Sequence, residues 1–243
     1  MKLDILAITA HPDDVELSCA GTLLSQVQQG KKVGILDLTR GELGTRGTPE
    51  GRIQEALDAA EIMGVTVRDN VGLADGFFSN DEKHQRAIIP FIRKYQPDIV
   101  ITNAIEDRHP DHGRAAQLVA DSCFYSGLRM IETTDEQGNP QAAWRPRQVF
   151  HVIQDRFIKP DFVVDITPYM DIKIKAMLAF RSQFHVPEYK EKVDEPQSYI
   201  STPEFFDFIR ARAQEFGHSI GVQYGEGFTT RRMLGVQDIS VFI

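Results

Sequence analysis

Residues 3–16 read Leu3-Asp-Ile-Leu-Ala-Ile-Thr-Ala-His11-Pro-Asp-Asp-Val-Glu16, an apolar run that stops at a histidine, a proline and two adjacent carboxylates. The run is aliphatic and β-branched, as a buried strand requires. Proline followed by acids suits the first turn of a helix, where a missing N–H costs nothing and negative charge meets the macrodipole. Val15, Leu17, Ala20, Leu23, Leu24 and Val27 recur at helical spacing up to Gly30, so a helix is expected over 13–29. A second strand follows at 33–39. Strand, helix and strand at this spacing form a βαβ unit, which implies a parallel sheet.

The pattern nearly recurs a hundred residues on. Asp98-Ile-Val-Ile-Thr-Asn103 runs through Glu106-Asp-Arg108 to His109-Pro-Asp-His112. Periodicity predicts helices over 49–63, 81–95 and 111–127, with strands at 65–73 and 99–102. Beyond residue 130, strands are expected at 147–153, 161–166 and 236–243, and helices at 168–180 and 204–217. The polar stretch 133–140 reads as a surface excursion, 183–202 as a mobile loop or lid, and the glycine-rich segment after 217 as irregular. The expected architecture is α/β, a Rossmann-like doubly wound, mainly parallel sheet of core order 3-2-1-4, with further strands and helices after it, in one domain over 1–243. In that order strands 1 and 4 are neighbours at the switch point, so both His-Pro-Asp segments leave the sheet side by side.

Composition narrows the function. The chain has 243 residues, 42% hydrophobic and 26% charged, with a formal net charge of −8, which disfavours nucleic acid as partner. Cys19 and Cys123 lack ligand spacing and read as buried free thiols. The first residues lack the shape of a signal peptide and no run is long enough to span a bilayer. A cytoplasmic protein with a small-molecule substrate and no membrane contact is expected.

Either His-Pro-Asp alone reads as helix capping. Two copies at adjacent strand ends, with Asp13, Asp14 and Glu16 crowded into one turn, read as a metal site. His11 and Asp14 can converge from strand end and first helical turn, and His112 arrives from the neighbouring strand. Two imidazoles and a carboxylate suit zinc, with Fe2+ and other divalent metals as alternatives. Asp13 then stands beside the metal as a general base for an activated water. His109, if protonated, would stabilise the oxyanion and then give a proton to the leaving amine, with Asp111 orienting it. Arg52 and Arg108 are candidate contacts for a substrate carboxylate, and Glu42 for a sugar hydroxyl. Gly41-Glu-Leu-Gly-Thr-Arg-Gly47 lacks the lysine and spacing of a phosphate loop.

These segments resemble the LmbE-like (PIG-L) zinc deacetylase family: Ala10-His-Pro-Asp-Asp-Val-Glu16, Thr39-Arg-Gly-Glu42, Arg52 with Glu55, His109-Pro-Asp-His112 and Tyr224-Gly-Glu-Gly-Phe228. The resemblance implies a Rossmann-like fold and hydrolysis of N-acetyl groups from N-acetylglucosamine conjugates. It puts the zinc ligands on His11, Asp14 and His112, the base on Asp13, and a second histidine–aspartate pair on His109 and Asp111. The likeness is greatest to members that act on N-acetylglucosaminyl-malate in bacillithiol biosynthesis, and it implies a homo-oligomer, with a hexamer as the expected form. Val15 departs from the pattern, since many members have Glu directly after the paired aspartates. The alternatives are a deacetylase of another N-acetylglucosamine conjugate, a carbohydrate-binding protein with a structural metal, and a metallo-phosphoesterase.

Overall fold

The computed structural model describes residues 1–186 and 195–242. Its elements are β1 (Ile5–Thr9), α1 (Asp14–Ser18), α2 (Ala20–Gln28), β2 (Val33–Asp37), α3 (Pro49–Met63), β3 (Val67–Asn70) and α4 (Glu82–Tyr95). They continue with β4 (Ile99–Thr102), α5 (Pro110–Tyr125), β5 (Gln148–Val152), β6 (Phe162–Asp165), α6 (Met170–Leu178), α7 (Glu204–Ser219) and β7 (Gly225–Thr230). One sheet runs in the order β3-β2-β1-β4-β5-β7-β6. β1 to β5 are parallel, and β7 pairs antiparallel with both β5 and β6. The expected 3-2-1-4 core is present, with β1 beside β4.

Alternation along the buried strands builds two apolar layers. Leu6, Ile8, Leu36 and Val100 face one side, where they pack with Ile88 and Ile92 of α4 and Leu118 and Val119 of α5. Ile5, Ala7, Ile35 and Ile101 face the other, against Leu23 and Leu24 of α2, Met63 of α3 and Ala176 of α6. Among the described residues no helix is long and apolar enough to cross a membrane.

Two expectations are corrected. The helix over 13–29 is two helices, broken at Cys19, although its apolar spacing runs through the break. Glu226 of β7 causes it: its carboxylate accepts from the backbone N–H of Gly21 (3.0 Å) and Thr22 (2.7 Å), capping α2. Lys173 of α6 completes the wedge, donating to Leu17 O (2.8 Å) and to Glu226 (2.7 Å). The last strand is the glycine-rich 225–230, not 236–243. A Cβ on Gly225 would meet Val163 Cγ1 at 2.6 Å, and one on Gly227 the Phe216 ring at 3.0 Å, so glycine here marks the close approach of α7 and β6. Val236 and Ile239 are exposed instead, and residues 239–242 form a 3-10 turn. Of the expected loop over 183–202, residues 187–194 lie outside the described residues, and Tyr199–Ser201 is a 3-10 turn.

Glu16, the third acid of the first motif, is fully buried against Arg68 of β3. Arg68 Nη1 lies 2.6 Å from Glu16 Oε1, while Nε and Nη2 lie 2.8 and 3.0 Å from the two oxygens of Asp37. Arg68→Met would leave two buried carboxylates without a cation. It is expected to cost about 3–5 kcal/mol, read as a lowered urea midpoint.

Candidate active site

The site forms where β1 and β4 end. Ala10 N–H donates to Asn103 Oδ1 (2.8 Å), tying the two strand ends together, and Asn103 Nδ2 donates to Asp14 Oδ2 (3.0 Å). Asp14 also accepts from His11 N–H (3.0 Å) and Gln154 Nε2 (2.8 Å). Thus held, its carboxylate lies between two imidazoles, 3.5 Å from His11 Nδ1 and 3.1 Å from His112 Nε2. The structure brings His11, Asp14 and His112 together, all buried.

The outer nitrogens of both rings meet carboxylates. His112 Nδ1 lies 2.5 Å from Asp107 Oδ2, and Asp107 Oδ1 accepts from the N–H groups of Asp155 and Arg156. His11 Nε2 lies 3.0 Å from Asp75 Oδ1 and 3.3 Å from Asp111 Oδ2. Carboxylates accept, so each outer nitrogen carries a proton and the inner His11 Nδ1 and His112 Nε2 keep lone pairs when the rings are neutral. Imidazoles backed by carboxylates, with lone pairs converging beside a third carboxylate, are the donor set of a divalent metal site. Burial opposes charge on each ring, yet Asp14 and the outer carboxylates raise His112 to about 9 and His11 well above its ordinary value. Burial likewise opposes charge on Asp14, but the two histidines hold it well below the usual carboxylate range. The groupings among the described residues whose ligand atoms all lie within 4.8 Å of one another are His11, His109 and His112, and His11, Asp75 and Asp111; both contain His11, one contains His112, and Asp14 is in neither.

His109 caps α5, and its Nδ1 accepts from Asp111 N–H (3.2 Å). The ring proton therefore sits on Nε2 in the neutral form. Burial and the neighbouring His11 and His112 hold its pKa below the ordinary value, so it is a neutral donor. Its ring stacks on His112, centroids 5.2 Å apart. The Asp111 carboxylate does not orient His109. It accepts from His11 Nε2 and Gly76 N–H (2.9 Å) and pairs with Arg114 (2.8 Å), because its place in the first turn of α5 points it back toward β1.

Asp13 lines the cleft with its backbone in the left-handed region, φ 110°. Burial pushes its carboxyl up to about 7 against the pull of the Arg52 guanidinium, whose Nη2 donates to Oδ2 at 2.7 Å. Arg52 is thus engaged with Asp13 rather than held ready for a substrate carboxylate. Glu42 is not among the cleft residues. It accepts from Asp75 N–H (3.1 Å) and Arg40 N–H (3.2 Å), and so steadies Asp75. Arg108 stands at the mouth, half exposed, its guanidinium over the Tyr199 ring and 3.5 Å from Asp155. The cleft, about 270 Å³, has an apolar wall of Leu17, Ile200, Phe208 and Ile209 opposite these charges.

Sequence reasoning passed over Asp75, Asp107, Asn103 and Gln154. Asp107 lay inside the quoted Glu106-Asp-Arg108, and Asn103 and Gln154 lie just beyond the ends of β4 and β5, where a doubly wound sheet gathers its ligands. Asp75 sits in the Ala74-Asp-Gly76 turn beyond β3, with no periodic signal to single it out.

With this geometry in view, the comparisons agree. A family model described as PIG-L, GlcNAc-PI de-N-acetylase, matches residues 6–123. The conserved protein TT1542 from Thermus thermophilus superposes with a TM-score of 0.83 at 32% identity, covering 97% of this chain and 98% of that one. The diacetylchitobiose deacetylase of Thermococcus kodakarensis is 29% identical over 233 residues, 92% of this chain and 81% of the relative. A probable N-acetyl-alpha-D-glucosaminyl L-malate deacetylase 2 of Bacillus subtilis is 26% identical over 221 residues, covering 83% and 94%. The chain belongs to the PIG-L (LmbE-like) family of deacetylases.

Asp107→Asn would keep the shape but present His112 Nδ1 with an amide in place of an anion. Metal affinity is expected to fall about 10- to 100-fold, measured by competition with a chromophoric zinc chelator.

Proposed function

We propose that the protein is a metal-dependent amidase that removes the N-acetyl group from an N-acetylglucosamine conjugate, with N-acetylglucosaminyl-L-malate as substrate. The observation that carries the reading is the pair of carboxylate-backed imidazoles converging on Asp14, with Asp13 and the neutral His109 on the same cleft. His11, Asp14 and His112 would hold the metal, zinc being the first choice for this donor set. When bound, a divalent metal supplies a Lewis acid that polarises a carbonyl and acidifies water.

The chain's own groups supply the rest. Asp13 takes a proton from the attacking water as its oxygen bonds to the acetyl carbon. His109 Nε2–H donates to the carbonyl oxygen as negative charge gathers there. The C–N bond then breaks, the sugar amine takes up the proton, and acetate and free amine are the products. Support for an acidic aglycone comes from Arg108, the cation at the mouth of the cleft, since guanidinium pairs with carboxylate. Arg52 no longer adds to that argument.

The decisive experiment is amine release from N-acetylglucosaminyl-malate and from free N-acetylglucosamine, with and without a chelator. Chelator-sensitive release favouring the malate conjugate is expected. Equal rates would remove the malate assignment, and no release from either, with metal still bound, would overturn both substrates and turn the reading to another acyl conjugate or to a binding protein. Asp13→Asn is expected to lower kcat by about 100- to 10,000-fold with metal content unchanged. Wild-type turnover in that variant would remove Asp13 as base. Arg108→Ala should raise KM for the malate conjugate and leave KM for plain N-acetylglucosamine alone.

A further inference from the structure

The Gly41–Gly44 loop and the buried guanidinium of Arg52 have no part in the scheme above, yet they are built around each other. Arg52 lies in the first turns of α3 and reaches back across the loop. Its Nη2 donates to both Pro12 O (2.5 Å) and Asp13 Oδ2 (2.7 Å), and Nη1 reaches Gly41 O at 3.4 Å. One nitrogen therefore grips the backbone and the side chain of the same turn. A Cβ at Gly41 would stand 2.1 Å from Arg52 Nη1 and 2.7 Å from Cζ, and one at Gly44 would stand 3.2 Å from Nη1. Gly41 also has φ 65°, so glycine is needed there on two counts.

The turn it grips is an uncommon one. Asp13 combines φ 110° with ψ −24°, and the other described non-glycine residue of positive φ is Gln96, which ends α4 where that conformation is routine. Asp13 occupies the N-cap of α1, where an aspartate ordinarily folds its carboxylate back onto the helix N–H groups. Here it makes no such bond. The left-handed backbone carries the side chain away from its own helix, and Arg52 meets it there through Oδ2, both side chains lying on the wall of the cleft. The buried Arg52 Nε has no hydrogen-bond partner among the described residues, so the protein contacts of the guanidinium run through its two terminal nitrogens.

We infer that Arg52 is a positioning residue, cradled by Gly41 and Gly44, which pins the Pro12–Asp13 turn in its left-handed form so that the Asp13 carboxylate faces the cleft instead of capping α1. The kinetic consequence rests on the deacetylase reading, and the coupling of Arg52 to the turn does not. A substrate contact would show in KM, a positioning residue in kcat.

The kinetic arm uses Arg52→Ala, Arg52→Lys and Gly41→Ala on the metal-loaded protein. In Arg52→Ala, kcat is expected to fall about 100-fold while KM stays within a factor of about two. Arg52→Lys should recover little of it, since a single ammonium cannot replace the fork that spans the turn and the loop. Free guanidinium should restore part of the lost kcat in Arg52→Ala, and Gly41→Ala should reproduce the loss by expelling the side chain. A raised KM with kcat kept would make Arg52 a substrate contact and overturn the inference. The second arm needs no substrate: thermal unfolding of Arg52→Ala, Asp13→Gly and the double variant. Arg52→Ala should lower Tm by several degrees in the wild-type background and by much less in Asp13→Gly, where the turn needs no pin. Equal losses in the two backgrounds would sink the coupling, even for a protein that deacetylates nothing.

Discussion

One buried carboxylate, that of Asp14, sets the terms for the rest of the site. It takes hydrogen bonds from a backbone N–H, an asparagine and a glutamine, and still lies within reach of two imidazoles. A carboxylate in such surroundings keeps its charge only if its lone pairs are met. The donors come from the ends of three neighbouring strands, β1, β4 and β5, so the sheet order is a condition of the chemistry. Were β1 and β4 not adjacent, Asn103 could not join Ala10 to Asp14, and His112 would have no path to the same point.

The outer carboxylates extend this logic. Asp75, Asp107 and Asp111 each accept backbone N–H bonds from loops beyond the strands, and each passes that order to a histidine. A histidine so braced has its tautomer chosen and its ring fixed before any ligand arrives. Glu42 adds one more step, since it holds the N–H of Asp75. Local order therefore runs from the loop after β2, through Asp75, to His11.

The sheet core and the convergence of the two motifs were legible in the sequence because both rest on strong signals. Buried parallel strands are continuous apolar runs, and a right-handed crossover leaves few choices of order. What escaped was set by contacts distant in sequence. The helix break at Cys19 is imposed by Glu226, 205 residues from the N–H of Gly21 that it binds, and apolar spacing carries no trace of it. The seventh strand hid behind its glycines, since Gly225 and Gly227 are small because α7 and β6 press on them. For Arg52, Glu42 and Asp111 the sequence puts each near the cleft, but only the partners of its polar atoms show which neighbours it engages there.

Asp13 and Asp14 make that last point most sharply. They are adjacent, both buried, and chemically alike, but their environments differ. Asp14 sits between two imidazoles, which hold it well below the usual carboxylate range despite burial, and so it stays an anion fit to ligate. Asp13 has one arginine against full desolvation, and burial wins, lifting it to about 7. An acid poised there can take a proton and give it back near neutrality, whereas its neighbour cannot. The left-handed turn at Asp13 accompanies that difference: its side chain makes no bond to the start of α1 and meets Arg52, while Asp14 opens the helix between the imidazoles.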